Sequence, residues 1–438
     1  MSDIFTIDYV DEKKRQVICV DAKSFFASVE AAERGQNPLE ARIAVVSKPE
    51  NKGGLVLASS PRIKEEYGVQ TGTRIYEIPP GADIEIVEPR MALYVERNLD
   101  IQRIFKRYVQ EEDILVYSID ESFLDITKYH HLFGSPYRMM RKIQRDVWKE
   151  LGLVLTIGMG DNPLLAKLAL DHDAKHDALN HFISVWHYTD VQEKVWPIKP
   201  LSKFWGIGHR MERALNRLGI QSIYDLSQYD LKQLKKEFGV IGEQLFFHAH
   251  GVDRSEISDK YTPKSTSFSR NQILNTDYVK KTDVEIVIRE MTDENAVRMR
   301  KHGFVTSRVG LYIGYSKNVP EDGFSKHMTI DPTDSSKKLK EYLLLIFGRH
   351  YEGYPVRTVN ITFGHFEKKQ NLDMQLNLFE PVEENIKGEH LDQTVDKMRR
   401  KYGYTSILHA SSLMDGAMAK YRATLLGGHR SGKGEKNE

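Results

Sequence analysis

Two carboxylates stand side by side between two strand-like runs in Ser118-Ile119-Asp120-Glu121, and this stretch limits the fold more than any other. Ile114 to Tyr117 and Ser122 to Ile126 pair naturally as a hairpin with the acids at or next to its turn. Adjacent carboxylates repel when both are ionised, so holding them together calls for a counter-charge, usually a divalent cation. The competing reading is a solvated acidic turn. A third carboxylate, Asp21, ends another short apolar strand, Val17 to Val20. Three carboxylates at strand ends of one sheet can hold two Mg²⁺ ions, an arrangement that joins a hydroxyl to a phosphate.

After Asp21 the pattern turns helical, with Phe25, Val29 and Ala32 on one stripe. Phe26 faces away from that stripe, close to Asp21, where it either meets a ligand or packs a second face. Ser135-Pro136 caps and starts a further helix, with Met139, Ile143, Val147 and Leu151 as its buried stripe and Gly152 past its end. Leu153 to Met159 reads as a strand and Pro163 to Asp173 as a helix. Helices alternating with strands around Asp21 and the hairpin predict a split βαβ sheet. At 438 residues the chain exceeds one core and fits three or four domains, an α+β multidomain class.

The second half reads differently. Trp205-Gly206-Ile207-Gly208-His209, followed by Met211, Leu215 and Leu218 and closed by Gly219, has the form of a helix-hairpin-helix. Backbone N–H groups at Gly206 and Gly208 would meet a DNA phosphate regardless of sequence; a plain tight turn is the alternative. Ser255 to Lys264 is polar and predicts a linker. Strand (266–274), helix (283–301), strand (304–315), a segment with room for a short strand, helix (335–347) and strand (357–366) then predict a four-stranded sheet backed by two helices. Arg270, Arg308 and Arg357 are its candidate phosphate contacts, against a reading as solvated charge. Residues 1–200 hold 26 Lys+Arg against 31 Asp+Glu, and residues 201–366 hold 25 against 20. A polyanion would be gripped mainly by the basic part.

VDAKSFFASVE at 20–30 and YSIDESFLDIT at 117–127, in that order, resemble the Y-family, or lesion-bypass, DNA polymerases, in details their bacterial UV-protection (UmuC-like) branch. The resemblance runs from about Val17 to Phe366. It implies a palm (1–24 and 94–184), fingers (25–93), a helix-hairpin-helix thumb (185–262), a little finger (263–367) and a tail (368–438). It makes Asp21, Asp120, Glu121 and the Ala22 carbonyl the ligands of two Mg²⁺ ions, and Phe26 the steric gate against the sugar of the incoming nucleotide. In the fingers, Ser59 takes the triphosphate-binding hydroxyl position. Arg62 stands where a Tyr is common, and Glu65 where the phosphate-binding Arg is common. A Glu cannot bind phosphate, so Arg62, one helical turn away, is expected to supply the cation, unless it is an ordinary solvated residue. Lys175 resembles the triphosphate-binding lysine.

In the tail, Gln375-Leu376-Asn377-Leu378-Phe379 resembles the peptide by which bacterial polymerases dock on the sliding clamp. Apolar anchors in a polar segment suit a peptide ligand, whereas a short strand packing back on the chain is the alternative. Leu391 to Tyr402 predicts a helix, residues 392–426 carry no functional reading, and the Gly/Lys-rich end after Gly427 predicts disorder.

The resemblance implies template-directed translesion DNA synthesis, with primer-template DNA, dNTPs, the clamp and recombination or SOS accessory proteins as partners. A nucleotidyl cyclase could use the sheet and the acids but not the thumb, little finger or clamp peptide. A catalytically inactive DNA-binding relative would not need Asp21, Asp120 and Glu121 intact. Cys19 is the only cysteine, the N-terminus lacks a basic region before an apolar one, and no apolar stretch nears a bilayer span, so the expected place is the cytoplasm, without membrane contact.

Overall fold

The computed structural model describes residues 7–51, 53–259, 263, 266–369 and 382–432. The chain forms two compact units, Met1–Lys260 with Arg430–Lys433, and Tyr261–His429 with Gly434–Glu438.

The first unit opens with β1 (Val17–Ala22) and α1 (Phe25–Glu33), followed by β2 (Ile43–Ser47), β3 (Leu55–Ser59), α2 (Pro61–Tyr67) and β4 (Glu85–Val87). It continues with α3 (Met91–Phe105), β5 (Ile114–Val116), β6 (Glu121–Asp125), α4 (Pro136–Leu151), β7 (Leu155–Gly160), α5 (Pro163–Ala169) and β8 (Ile183–Trp186). Five strands form one sheet in the order β5-β6-β1-β7-β8, and β2, β3 and β4 form a separate one. β1 is central and antiparallel to both neighbours, which is why its Val-Ile-Cys-Val run is apolar on both faces. Ile18, Val20, Phe25 and Ile143 share the core under α1, α3 and α4. On the other face Cys19 and Phe123 meet Ala166 and Leu170.

There α5 lies directly on the backbone of β7. A Cβ at Gly158 would stand 2.2 Å from the Ala166 carbonyl oxygen, so only glycine permits this approach. The predicted helix to Asp173 ends as α-helix at Ala169 and continues as one π-helical turn, Leu170–Ala174, which delivers Asp171 and Lys175 to the strand ends.

Four helices complete this unit: α6 (His209–Arg217), α7 (Ile223–Ser227), α8 (Leu231–Phe238) and α9 (Val240–Ala249), packed on Leu215, Ile223, Leu234 and Leu245. The expected linker begins later than its polarity indicates. Buried Arg15 donates to the Ser255 carbonyl (2.8 Å) and to Glu256 (3.1 Å), and Ile257 is buried beside Val17. A buried guanidinium needs acceptors, and these residues provide them. Residues 428–432, expected to be disordered, are described; the Ser431 carbonyl accepts from Ala92 N (2.9 Å).

The second unit holds β9 (Ser267–Tyr278), α10 (Lys281–Lys301), β10 (Phe304–Tyr315), β11 (Gly323–Thr333), α11 (Ser336–His350) and β12 (Val356–Lys368). The strands form an antiparallel sheet in the order β11-β10-β12-β9, with both helices on one face. β11 is a full partner of β10, where only a short strand was expected. The stretch without a functional reading is structural. After α12 (Val382–Tyr402) the chain reaches α13 (Ala419–Ala423), Met418 joins the core, and Arg422 enters between Glu290 and Glu294 of α10, 2.8 Å from each.

Arg422 and Glu290 are buried, so removing one partner strands the other's charge. Arg422→Ala is expected to cost this unit about 3–5 kcal/mol, read as the urea midpoint of its unfolding. A shift below about 1 kcal/mol would show that the tail is not anchored there. Among the described residues, no helix is long and apolar enough to cross a membrane.

Candidate active site

The register of β1 against β6 sets Asp21 opposite Glu121, and the Ala22 N–H donates to the Asp120 carbonyl (2.9 Å). The three acids of the sequence reading are therefore neighbours at one end of the central strands. The turn is tied by Ser118, whose Oγ donates to Asp120 Oδ1 (2.6 Å), and by Asn98, whose amide donates to the Ile119 carbonyl (2.8 Å).

Among the described residues no trio of His, Cys, Asp or Glu is at metal-binding distance. Instead Lys175 Nζ lies 3.2 Å from Asp21, Lys167 Nζ lies 2.6 Å from Glu121, and Asp171 bonds both ammonium groups at 2.9 Å. Like charges repel, and two lysines delivered by α5 and its π-turn neutralise them. Burial pushes the Asp21 carboxyl up; Lys175 opposes this, and Asp120 and Glu121 add to it. Burial alone would lower Lys175, but Asp21 and Asp171 outweigh it and hold the ammonium firmly charged. Hard carboxylate oxygens already holding cations are a donor set that suits Mg²⁺.

Phe26 is half-buried and stacks on Tyr94, with centroids 4.4 Å apart and planes 15° apart. The Tyr94 hydroxyl donates to Glu30 (2.9 Å), a fully buried carboxylate that Arg90 grips through two nitrogens (2.9 and 2.7 Å). Burial raises the Glu30 carboxyl, yet the bonds from Arg90, Arg34 and Tyr94 prevail and keep it below its usual range. The Phe26 ring thus rests on a fixed platform.

Two fingers assignments need correction. Ser59 is fully buried and its hydroxyl donates to the Val69 carbonyl (2.8 Å), so it is used inside the small sheet's core. Arg62 is exposed and held by Glu66 at 2.5 Å, one turn along α2. The cation of α2 that feels the site is Lys64, whose Nζ donates to Ser24 Oγ (2.8 Å). Loss of hydration lowers the Lys64 ammonium; Asp21 pulls it back up, and Lys175 adds to the lowering. Lys23, with its Nζ on the Lys175 carbonyl (2.7 Å), is lowered by burial and then by Lys64. Lysines that repel one another here leave room for a polyanion. Lys64, Lys167 and Asp171 escaped the sequence reading. The i, i+4, i+8 spacing of Lys167, Asp171 and Lys175 was the available signal.

Gly206 has φ 93° and Gly208 caps α6, and nothing lies within 4 Å of a Cβ at either, so the backbone is open to an approaching phosphate. In the second unit, Arg308 is exposed on the sheet face opposite the helices, with no ion-pair partner among the described residues. Arg357 pairs with Asp277 at 3.3 Å. Arg270 is a correction: Gln272 and Leu274, on the same side of β9, are buried, and Arg270 bonds Glu294 of α10, which puts it on the helix side. Gln375, Leu376, Leu378 and Phe379 lie outside the described residues.

Comparison with known proteins adds independent findings. Residues 20–171 match the impB/mucB/samB family, residues 264–378 its C-terminal domain, and residues 203–253 a DNA polymerase-iota thumb domain. A Bacillus subtilis (strain 168) protein named for UV-damage repair, UvrX, is 42% identical over 426 residues, 97% of this chain and 100% of the relative. DNA polymerase IV 2 of the same organism is 31% identical over 422 residues, covering 95% and 99%. A solved chimera of the Y-family DNA polymerases Dbh and Dpo4 shares the fold, with TM-score 0.63 at 22% identity, over 80% of this chain and 98% of the chimera.

Proposed function

This chain belongs to the impB/mucB/samB family of Y-family DNA polymerases, and on that premise we propose that Asp21, Asp120 and Glu121 carry a two-Mg²⁺ nucleotidyl transfer. The protein is a DNA-directed DNA polymerase of damage repair, in the class that copies past lesions. The observation that supports the site assignment is the register pairing of Asp21 with Glu121 beside Asp120, ringed by Lys23, Lys64, Lys167 and Lys175.

Mg²⁺ held by Asp21, the Ala22 carbonyl, Asp120 and Glu121 would activate the primer 3′-hydroxyl and stabilise charge on the leaving pyrophosphate. Lys175 and Lys64 orient the triphosphate by charge, and no side-chain nucleophile is required. Phe26 lies along the C2′ edge of the sugar and leaves a 2′-hydroxyl neither room nor partner. Backbone N–H groups at Gly206 and Gly208 hold duplex phosphates, with Arg308 and Arg357 as side-chain contacts. Gln375, Leu376, Leu378 and Phe379 dock on the sliding clamp, and recombination or SOS accessory proteins join this cytoplasmic assembly.

Lys64→Ala is expected to raise the dNTP concentration for half-maximal single-turnover rate about tenfold, and Arg62→Ala less than twofold. The reverse order would return the triphosphate cation to Arg62. The function itself is tested by primer extension on an undamaged template and on one carrying a thymine dimer. Extension that stops with a chelator, resumes with Mg²⁺ and passes the dimer is expected; a complete stop at the dimer would remove the lesion-bypass reading.

A further inference from the structure

Helix α4 sorts its charges by side. Its acids Asp146 and Glu150 turn toward the end of α3, where they accept from the Tyr108 hydroxyl and the Arg107 guanidinium. Four of its five cations, Arg138, Arg141, Lys142 and Arg145, line a cleft of about 690 Å³, whose far wall is the start of β7 and the segment that ends at Phe182. No acid lines this cleft, and none of the four cations has a carboxylate partner among the described residues. Arg141 donates to Gln144 (2.7 Å), and Lys142 lies 5.1 Å over the Phe133 ring. Several arginines elsewhere in this unit are neutralised, as Arg42 is by Glu66 and Arg97 by Glu33. A helix face that keeps unneutralised like charges together favours a polyanion.

Aromatic rings flank these charges. Tyr137 and Trp148, 47% and 45% exposed, stand at the two ends of the helical stretch that lines the cleft, and Phe133 and Phe182 also line it. The far wall is strained and braced: His181 and Phe182 both have positive φ (58° and 60°), a conformation that L side chains seldom adopt. The buried Gln144 amide holds it by donating to the carbonyls of His181 (2.8 Å) and Leu155 (2.9 Å). Lys23 Nζ stacks 4.6 Å over the Phe182 ring. From Tyr137 to Trp148 the helix runs roughly 16 Å, longer than one nucleotide.

We propose that this cleft is a second nucleic-acid site that binds a single strand, with phosphates on Arg138, Lys142 and Arg145 and bases against Tyr137 and Trp148. Unpaired cations set between exposed rings are what a single strand requires, because every base offers a stacking face and every linkage a charge. A lone phosphate compound would use the charges and leave the outer rings uncovered.

The test uses the full chain, saturated with an unlabelled blunt DNA hairpin so that the duplex site is filled. A fluorescent oligothymidylate of about 20 nucleotides is then titrated by anisotropy. Wild type is expected to bind it in the presence of the hairpin. Arg138→Glu/Lys142→Glu/Arg145→Glu is expected to bind at least about tenfold more weakly, with a salt slope smaller by about 2, while still extending a primer. Trp148→Ala, with all charges kept, is expected to lose about fivefold. If the triple Glu variant no longer extends a primer, the corresponding Gln variant is judged by the same criteria. Displacement of the strand by the hairpin, equal affinity in all variants, or competition by tripolyphosphate as strong as by the strand would overturn the proposal.

Discussion

Asp120→Ala is expected to slow nucleotide addition by at least about 10³-fold, about 4 kcal/mol of transition-state stabilisation, without unfolding the protein. Asp120 is half-buried, and among the described residues its carboxylate is tied only to the nearby Ser118 hydroxyl, so no buried partner there is stranded by its loss. Its carbonyl bond from Ala22 N survives the substitution and keeps the turn on β1. Glu121 offers a less clean test, because it is buried against Lys167 and Cys19 and its removal mixes stability with catalysis. Single-turnover extension and a thermal melt on the same preparation separate the two. A rate within tenfold of wild type would remove Asp120 from the chemistry.

The second large effect is on sugar choice. Phe26→Ala is expected to reduce discrimination against ribonucleotides by about 10²-fold or more, with incorporation of deoxynucleotides changed far less. The ring does not move aside easily, since it stacks on Tyr94, which is fixed through Glu30 and Arg90. Its loss costs roughly 1 kcal/mol of stacking, small beside the specificity change. The measurement is the ratio of kcat/KM for dCTP over CTP opposite guanine. An unchanged ratio would leave Phe26 as a core residue, the bland reading of a large aromatic.

The juxtaposition of Asp21, Asp120 and Glu121 was legible because strand apolarity and acid position reinforce each other. The apolar run Val17 to Val20 marks a central strand, which puts Asp21 near its end, and the register sets Asp21 opposite Glu121. Lys64 and Lys167 were not legible, because a helical lysine is ordinarily a solvated one, and only packing shows which reach Ser24 and Glu121. Ser59 misled because position along α2 and β3 says nothing of which face is covered; the Val69 carbonyl takes its hydroxyl. Arg270 misled because β9 alternates weakly, and its inward side mixes Phe268 and Leu274 with Arg270 and Gln272. The tail from 392 to 426 carries no periodic apolar stripe. It docks largely through charges, Arg422 on Glu290 and Asp392 and Asp396 on Arg300, which composition cannot distinguish from solvated surface.

The most direct test of template-directed synthesis at this site is single-nucleotide addition by the full chain in Mg²⁺, opposite each of the four template bases in turn. Each template base is expected to select its Watson–Crick partner over the other three, and Asp120→Ala is expected to slow addition opposite all four by at least about 10³-fold. No addition opposite any base, even with the sliding clamp supplied, or addition that ignores the template base, would contradict the account.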